Sequence, residues 1–376
     1  MELKDYRAQI DAVDDEIVRL FQERMDIASN IAAFKKENGL PILQTARERE
    51  KLADVTGKAR EDMQSYLRVL YSLLFELSRT YQEKGTRTPL YEKIEHAIEN
   101  TPRLFPRSAT VACQGVEGAY SQLACEKLFV TPSIQYFRNF EGVFSAIEAG
   151  FCRYGILPIE NSTAGSVNRV YDLMIEHHFS IVRSTRLKID HCLLAKPDHT
   201  QIKEVFSHEQ AINQCAGFLK SLGNVKITCC ENTAVAAQTV ALSDRKDVAA
   251  LSSRMCAELY GLKVVQSSVQ DEGNNHTRFL CISKDTEIYP GADKTSVMMI
   301  LPHKPGALYK VLARLYALGI NLLKLESRPL PDRDFEFMFY LDLETSVYSE
   351  EFVQLMCEIG SICEEFKYLG SYTEVV

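Results

Sequence analysis

The sequence predicts a multidomain chain that passes through three fold classes, all-α, then α/β, then α+β, and three changes of residue pattern predict it. Apolar residues keep a 3-4 spacing to about residue 84. From about Ala109 short β-branched runs alternate with helical stretches, and from about Lys294 the order reads strand, helix, strand, strand, helix, strand. A length of 376 residues exceeds what one hydrophobic core usually supports. The expected boundaries are 1–88, a linker 89–107, 108–286 and 294–376.

Composition narrows the function. With 46% hydrophobic and 25% charged residues and no low-complexity tract, the chain folds around real cores. A formal net charge of −8 argues against generic binding to nucleic acid or an anionic membrane, so any local cluster of cations needs its own reason. The N-terminus is charged within its first residues, and no stretch approaches about 18 uninterrupted apolar residues, so a cytoplasmic protein is expected. Eleven cysteines without a C-x-x-C pair suggest reduced thiols rather than a disulfide framework. The adjacent His177 and His178 lack an accompanying carboxylate cluster, and no metal is expected.

In the first segment Tyr6, Ile10, Val13, Ile17, Leu20, Ile27, Ile31 and Phe34 mark one stripe of an unusually long helix. Asn38-Gly39 followed by Pro41 ends it, Thr45 is the expected cap of a second helix, and Leu67, Leu70, Leu74, Leu77 and Tyr81 stripe a third. Gly85, Pro89, Pro102 and Pro106 mark the linker. Arg24 occupies the apolar register between Leu20 and Ile27. Lys35, 11 positions later, shares nearly the same face at roughly 16 Å, and Arg7, 17 positions earlier, lies at roughly 25 Å. Arg47 adds a fourth cation. Any one of these alone would read as solvated or ion-paired. Four on inward or border positions of an acidic protein call for an anion, and a small polycarboxylate suits them.

This segment resembles the all-helical class of chorismate mutase, from Tyr6-Arg7 through Gln22-Glu-Arg24, Lys35, Ala46-Arg47-Glu48-Arg49-Glu50 and Ser78…Gln82. The resemblance implies that Arg7, Arg24 and Arg47 bind two carboxylates and that Lys35 and Gln82 reach the ether oxygen. It places Glu48 at the ring hydroxyl, with Gln44 counted among the substrate contacts and Ser78 lining the site. A Claisen rearrangement needs no nucleophile, acid or base, only a held conformer and stabilised charge on the departing oxygen. Because Arg7 and Arg24 lie roughly 25 Å apart on one helix, too far for a substrate on the order of 10 Å across, and the helix is too long for two shorter ones to cover, a two-fold dimer with shared sites is expected.

In the central segment, strands are expected at Ala109 to Cys113, Tyr154 to Ile159, Glu204 to Phe206, Val225 to Cys230 and Val248 to Leu251. Each leads into a small polar or glycine segment and then a helix, so several helix N-termini, with unpaired N–H groups, offer an anion site. No G-x-G-x-x-G is present, which counts against a dinucleotide-dependent dehydrogenase. A non-enzymatic amino-acid sensor is the rival from another class. The segment resembles prephenate dehydratase from Gly115 to about Ile282. The match runs through Gly118-Ala-Tyr-Ser121, Gly155-Ile-Leu-Pro-Ile-Glu-Asn161-Ser162, Ser207-His-Glu-Gln210, Asn232-Thr-Ala234 and Asn275-His-Thr277-Arg278-Phe279. That family has two α/β lobes, similar to periplasmic binding proteins, with the active site between them. The resemblance implies Thr277 as the catalytic hydroxyl, Arg278 as carboxylate anchor, and Glu160 and His208 as candidate proton donors. Ser121, Asn161, Ser162, Ser207, Gln210, Thr233 and Phe279 complete the expected prephenate site.

The βαββαβ order of the last segment is the ferredoxin-like arrangement. It resembles the ACT regulatory domain through Gly306-Ala-Leu308 and Glu326-Ser-Arg-Pro329, which implies an effector site at Gly306, Ala307, Leu308, Glu326, Ser327 and Arg328. Together the three segments resemble the bifunctional chorismate mutase/prephenate dehydratase family. The implied substrates are chorismate and prephenate, the effector is L-phenylalanine, the assembly is a homodimer or larger, and no cofactor takes part.

Overall fold

A computed structural model describes residues 2–40, 44–83, 89–330 and 336–376. The chain divides into two compact units, Met1–Tyr91 with Gln354–Ser361, and Glu92–Val353 with Ile362–Val376.

The first unit is built on α1 (Leu3–Glu37), α2 (Thr45–Lys58) and α3 (Gln64–Glu83), with one 3-10 turn at Glu61–Met63. A reciprocal pair between Glu2 and Asp5 caps α1 at its start, and Lys35 and Lys36 oppose the partial negative charge of its last turn. The helix ends at Glu37 with Gly39 in a left-handed conformation, as the Asn-Gly pair predicts, while Pro41 lies outside the described residues. The second helix starts at Thr45 with Gln44 as its flanking cap residue, so Thr45 is inside the helix rather than its cap. Met25, Ala28 and Lys35 are the buried positions of α1. Tyr6, Ile10, Val13, Ile17, Leu20, Ile27, Ile31 and Phe34 are all exposed in the single chain. A long apolar stripe is therefore left uncovered.

The stretch expected to be a linker contains a helix, α4 (Pro89–Asn100), whose Ile94 and Ala97 are buried. Pro89 at its first position fits the helix start, where the missing N–H is no loss.

The second unit carries two sheets. Strands β1 (Thr110–Gln114), β2 (Ser133–Phe137), β3 (Tyr154–Asn161), β4 (Gly165–Ser166) and β5 (Ser180–Lys188) open the first. After β6 (Cys192–Ala195), β7 (Glu204–Ser207), β8 (Lys226–Cys229), β9 (Val248–Ser252) and β10 (Lys263–Gln266), which form the second sheet in the order β10-β6-β9-β7-β8, the chain returns through β11 (His276–Ser283). Helices α5 (Tyr120–Leu128), α6 (Phe140–Glu148) and α7 (Asn168–Glu176) belong to the first lobe. Helices α8 (Glu209–Gln214), α9 (Ala216–Ser221), α10 (Thr233–Leu242) and α11 (Arg254–Tyr260) belong to the second. Asn161-Ser-Thr163 leads into β4 rather than directly into a helix.

The last segment follows the expected order: β12 (Lys294–Ile300), α12 (Ala307–Ala317), β13 (Asn321–Pro329), β14 (Phe337–Glu344), α13 (Glu350–Ile362) and β15 (Glu365–Val375). Its strands do not stand apart from the α/β segment. The first sheet has ten strands, in the order β13-β14-β12-β15-β5-β11-β3-β1-β2 with β4 on β3. β15 pairs antiparallel with β12 along Glu365 to Tyr372, then parallel with β5 through Thr373↔Arg183 and Val375↔Thr185. The polar end of β15, Ser-Tyr-Thr-Glu, hides the second pairing from a hydrophobicity reading. A register shift beside Gly370 allows β15 to change partners.

Gly370 sits at φ 142°, and a Cβ there would meet the Ile181 carbonyl oxygen at 2.2 Å. Backbone cannot swing aside like a side-chain tip, so Gly370→Ala is expected to destabilise this unit by about 3 kcal/mol. Urea unfolding followed by tyrosine fluorescence measures it, and an unshifted midpoint would contradict the close approach.

Candidate active sites

In the helical unit a cavity of about 430 Å³ opens between α1, α2 and α3. Of the expected residues, Arg24, Lys35, Gln44, Arg47, Glu48, Ser78 and Gln82 line it, and Arg7 does not. Among the described residues the lining holds five cations, Arg24, Lys35, Arg47, Lys51 and Arg79, against one carboxylate, Glu48. Arg24 donates to the Leu74 carbonyl at 3.2 Å and to the Ser78 hydroxyl, which in turn donates to Leu74 O at 2.7 Å. Its guanidinium also lies over the Phe75 ring. Burial pushes the Arg24 pKa down from its ordinary value, the signature of a cation held out of water. Arg47 is exposed and paired with Glu50 at 2.8 Å. Glu48, expected at a ring hydroxyl, is ion-paired with Arg79. Gln82 brings a buried side-chain oxygen with no hydrogen-bond partner among the described residues. Such a group costs about 1–3 kcal/mol, which a bound donor would offset. Lys51 and Arg79 were not anticipated. Phe75, Ser78, Arg79 and Gln82 stand at i, i+3, i+4 and i+7 on α3, and that single-face spacing was the available signal.

In the second unit a cleft of about 400 Å³ lies between the two lobes. Ser121, Asn161, His208, Gln210, Thr233, Thr277 and Phe279 line it, as expected. Ser121, in the first turn of α5, donates to Gln114 O at 2.5 Å. His208 caps α8 by accepting from Gln210 N, and Asn232 caps α10 by accepting from Val235 N at 2.8 Å. Helices α5 and α10 thus point their N-termini at the cleft, supplying backbone N–H groups for an anion. Ser162 lies beside it, on an adjoining cavity of about 760 Å³ that shares His208, Gln210 and Gln214.

Three expected residues are elsewhere. Ser207 is wholly buried and donates to Leu251 O at 2.9 Å, so it holds strands together rather than facing the cleft. Arg278 follows Thr277 on a strand whose side chains alternate, and it points to the opposite face. It is 5% exposed, donates to Asp342 and to the Tyr372 hydroxyl at 2.8 Å, and pairs with Glu160 and Glu374 at 3.4 Å. Glu160 precedes Asn161 on β3 and turns the same way as Arg278, accepting from Lys324 at 2.6 Å. Neither lines the cleft, and with Arg278 removed the lining contains no Lys or Arg among the described residues. An anion entering it would meet helix N-termini, hydroxyls and amides.

Sequence reasoning missed His191 and Gln214, which line the cleft, and Asn275, on the adjoining cavity. Asn275 stands two positions before Thr277 in the matched run, which was a usable signal; His191 and Gln214 had none.

In the C-terminal segment a cavity of about 450 Å³ is lined by residues 301–309, including Gly306, Ala307 and Leu308, with Glu336, Phe337 and Phe339. Gly306 caps α12 in a left-handed conformation, φ 82°. Glu326 and Arg328 are not in this lining. They face the α/β lobe, where Glu326 accepts from Ser166 and Arg328 binds Asp172 at 2.9 and 3.1 Å, and Ser327 is exposed on the other face of β13.

Among the described residues no group of three or more His, Cys, Asp or Glu is placed to hold a metal ion. No helix among them is long and apolar enough to cross a membrane.

Two family models match the chain: chorismate mutase type II over residues 6–83, and prephenate dehydratase over residues 111–287. The bifunctional chorismate mutase/prephenate dehydratase of Escherichia coli (strain K12) is 32% identical over 378 aligned residues, covering 97% of this chain and 95% of the relative. That of Aquifex aeolicus is 32% identical, covering 100% and 99%. A solved prephenate dehydratase from Arthrobacter aurescens in complex with L-Phe superposes with a TM-score of 0.65 at 26% identity, covering 70% of this chain and 90% of that one. With both activities' family models in one chain, in this order, and relatives aligned end to end, the chain belongs to the bifunctional chorismate mutase/prephenate dehydratase family.

Proposed function

We propose that the helical cavity rearranges chorismate to prephenate and that the two-lobed cleft converts prephenate to phenylpyruvate. The observation that carries the reading is the helical cavity itself, five cations against one carboxylate among the described residues, a lining suited to a dianion whose reaction needs only positioning and charge stabilisation. Arg24 and Arg47 take carboxylates, while Lys35 and Gln82 serve the ether oxygen as negative charge grows there. Arg7 comes from a second copy of the chain, and the exposed stripe of α1 supports that pairing.

In the cleft the ring carboxylate of prephenate leaves as carbon dioxide, its bonding electrons enter the ring, and the hydroxyl departs with the C–O pair and takes up one proton to become water. Thr277 donates a hydrogen bond to that departing oxygen, since a threonine hydroxyl is too weak an acid to protonate it outright. His208 remains the proton donor within the cleft lining, and the α5 and α10 N-termini receive the carboxylates.

The reading divides the chain into a mutase domain 1–88, a dehydratase domain 108–286 and a ferredoxin-like ACT domain 294–376 that senses phenylalanine at the cavity around Gly306. The Arthrobacter relative, solved with L-Phe, supports the effector. Coupled assays following chorismate loss and phenylpyruvate formation test the whole reading. L-phenylalanine, and not tyrosine at equal concentration, is expected to inhibit the dehydratase. Gly306→Val, a β-branched residue forced to φ 82°, is expected to abolish that inhibition. A sensor without activity would leave both substrates unchanged, and inhibition unaltered in Gly306→Val would remove the effector from this cavity.

A further inference from the structure

The hydrogen-bond polarity around Thr277 is fixed by the backbone. Asn161 Oδ1 accepts from the N–H groups of Thr163 at 3.1 Å and Ala164 at 2.9 Å. Backbone N–H groups only donate, so this end of the Asn161 amide is the oxygen and the other end is the nitrogen. That nitrogen lies 2.8 Å from Thr277 Oγ1 and 2.7 Å from Asn275 Oδ1. An amide nitrogen cannot accept, so the Thr277 oxygen receives this bond and its single proton is turned elsewhere. No other protein partner of the Thr277 hydroxyl is found among the described residues, and Thr277 lines the cleft.

The same logic runs outward. Asn275 presents its oxygen to Asn161, so its nitrogen donates to Gln214 Oε1 at 2.9 Å, and Gln214 donates to Thr163 Oγ1 at 2.8 Å. His191 Nε2, at 3.1 Å from the same Gln214 oxygen, must carry a proton. Burial lowers the His191 pKa, which favours the neutral ring. Asn161, Asn275 and His191 are 6%, 1% and 3% exposed, so water does not compete for these bonds.

We propose that Asn161 is a positioning residue for the dehydration, holding the Thr277 hydroxyl as a donor aimed into the cleft. Asn275 and Gln214 lock the Asn161 amide against flipping, and the accepted bond sharpens Thr277 as a donor. The inference rests on the dehydratase reading of this cleft. Other titratable groups near it are Tyr120, His191, His208 and Glu231 in the wall, Glu209, Asp271 and Glu272 on the adjoining cavity, and Glu160 and Arg278 on the back faces of β3 and β11.

Asn161→Asp in the full-length chain keeps the shape and the oxygen that the two backbone N–H groups hold. When ionised, its second oxygen only accepts, so the Thr277 proton turns to it and away from the substrate. The dehydratase kcat is expected to fall about a hundredfold near pH 8, with a smaller change in KM, while mutase turnover in the same chain is kept. Protonation restores a donor. Activity relative to wild type is therefore expected to rise at least about tenfold as pH falls toward about 5, because burial raises the carboxyl above its usual value near 4. Asn161→Ala, which removes the donor without adding a titratable group, is expected to lose about tenfold in kcat with a profile of wild-type shape. It decides the matter if thermal unfolding shows that Asn161→Asp does not fold. Thr277→Ala is measured in parallel. If it stays active, the reading of the cleft fails. If it is inactive while Asn161→Asp keeps a wild-type kcat or pH profile, or Asn161→Ala keeps a wild-type kcat, the positioning role alone fails.

Discussion

Chains carrying Arg7→Ala and chains carrying Lys35→Ala, each expected to lose about a thousandfold in mutase turnover alone, should recover about a quarter of the wild-type rate when unfolded together and refolded as a mixture. On α1 the two residues are 28 positions apart, roughly 42 Å by the helical rise. Lys35 lines the cavity of its own unit and Arg7 does not. Half the dimers in an equal mixture are mixed. If each site takes Lys35 from one chain and Arg7 from the other, one site of a mixed dimer gathers both lesions and its neighbour has none. If Arg7 served its own chain, every site would keep one lesion and nothing would return. Mixed dimers confirmed by mass without recovered activity would reject the shared site.

Asp342→Ala should destabilise the second unit by about 3–5 kcal/mol, the usual loss when one partner of a buried ion pair is removed. Asp342 is fully buried and accepts from Arg278 and Ser296. Its loss strands a guanidinium that is itself 5% exposed. Urea unfolding reads the effect. A change below about 1 kcal/mol would mean that Glu160 and Glu374, each 3.4 Å from Arg278, suffice to hold it. Were Arg278 a substrate anchor instead, the same substitution would leave stability nearly intact and raise KM.

The helical site was largely legible because a helix repeats: Arg24 interrupts a 3-4 stripe, and Lys35 follows on the same face. The strand-borne sites were legible only in part. Adjacent strand residues face opposite ways, so Thr277 with Arg278, and Asn161 with Glu160, could never both line one cleft. A matched run such as Thr-Arg-Phe names a neighbourhood and leaves the face undecided, and Arg278 fell on the wrong one. Glu326, Ser327 and Arg328 repeat the lesson on β13. Strand β5 escaped notice because its buried Ser184 and Thr185 break the apolar pattern. His191, Gln214 and Asn275 meet through bonds that span 23 and 61 positions, and no local spacing reports such a meeting.

β15 is the last strand in chain order, yet it sits between β12 and β5, near the middle of the ten-stranded sheet. During synthesis the strands on both sides of it emerge first, and until residues 365–375 arrive they form two open-edged sheets. Open edges recruit other strands, including those of neighbouring nascent chains. A ribosome stalled before Glu365 would thus leave two unpaired edges, and chaperone demand should stay high until residues 365–375 emerge.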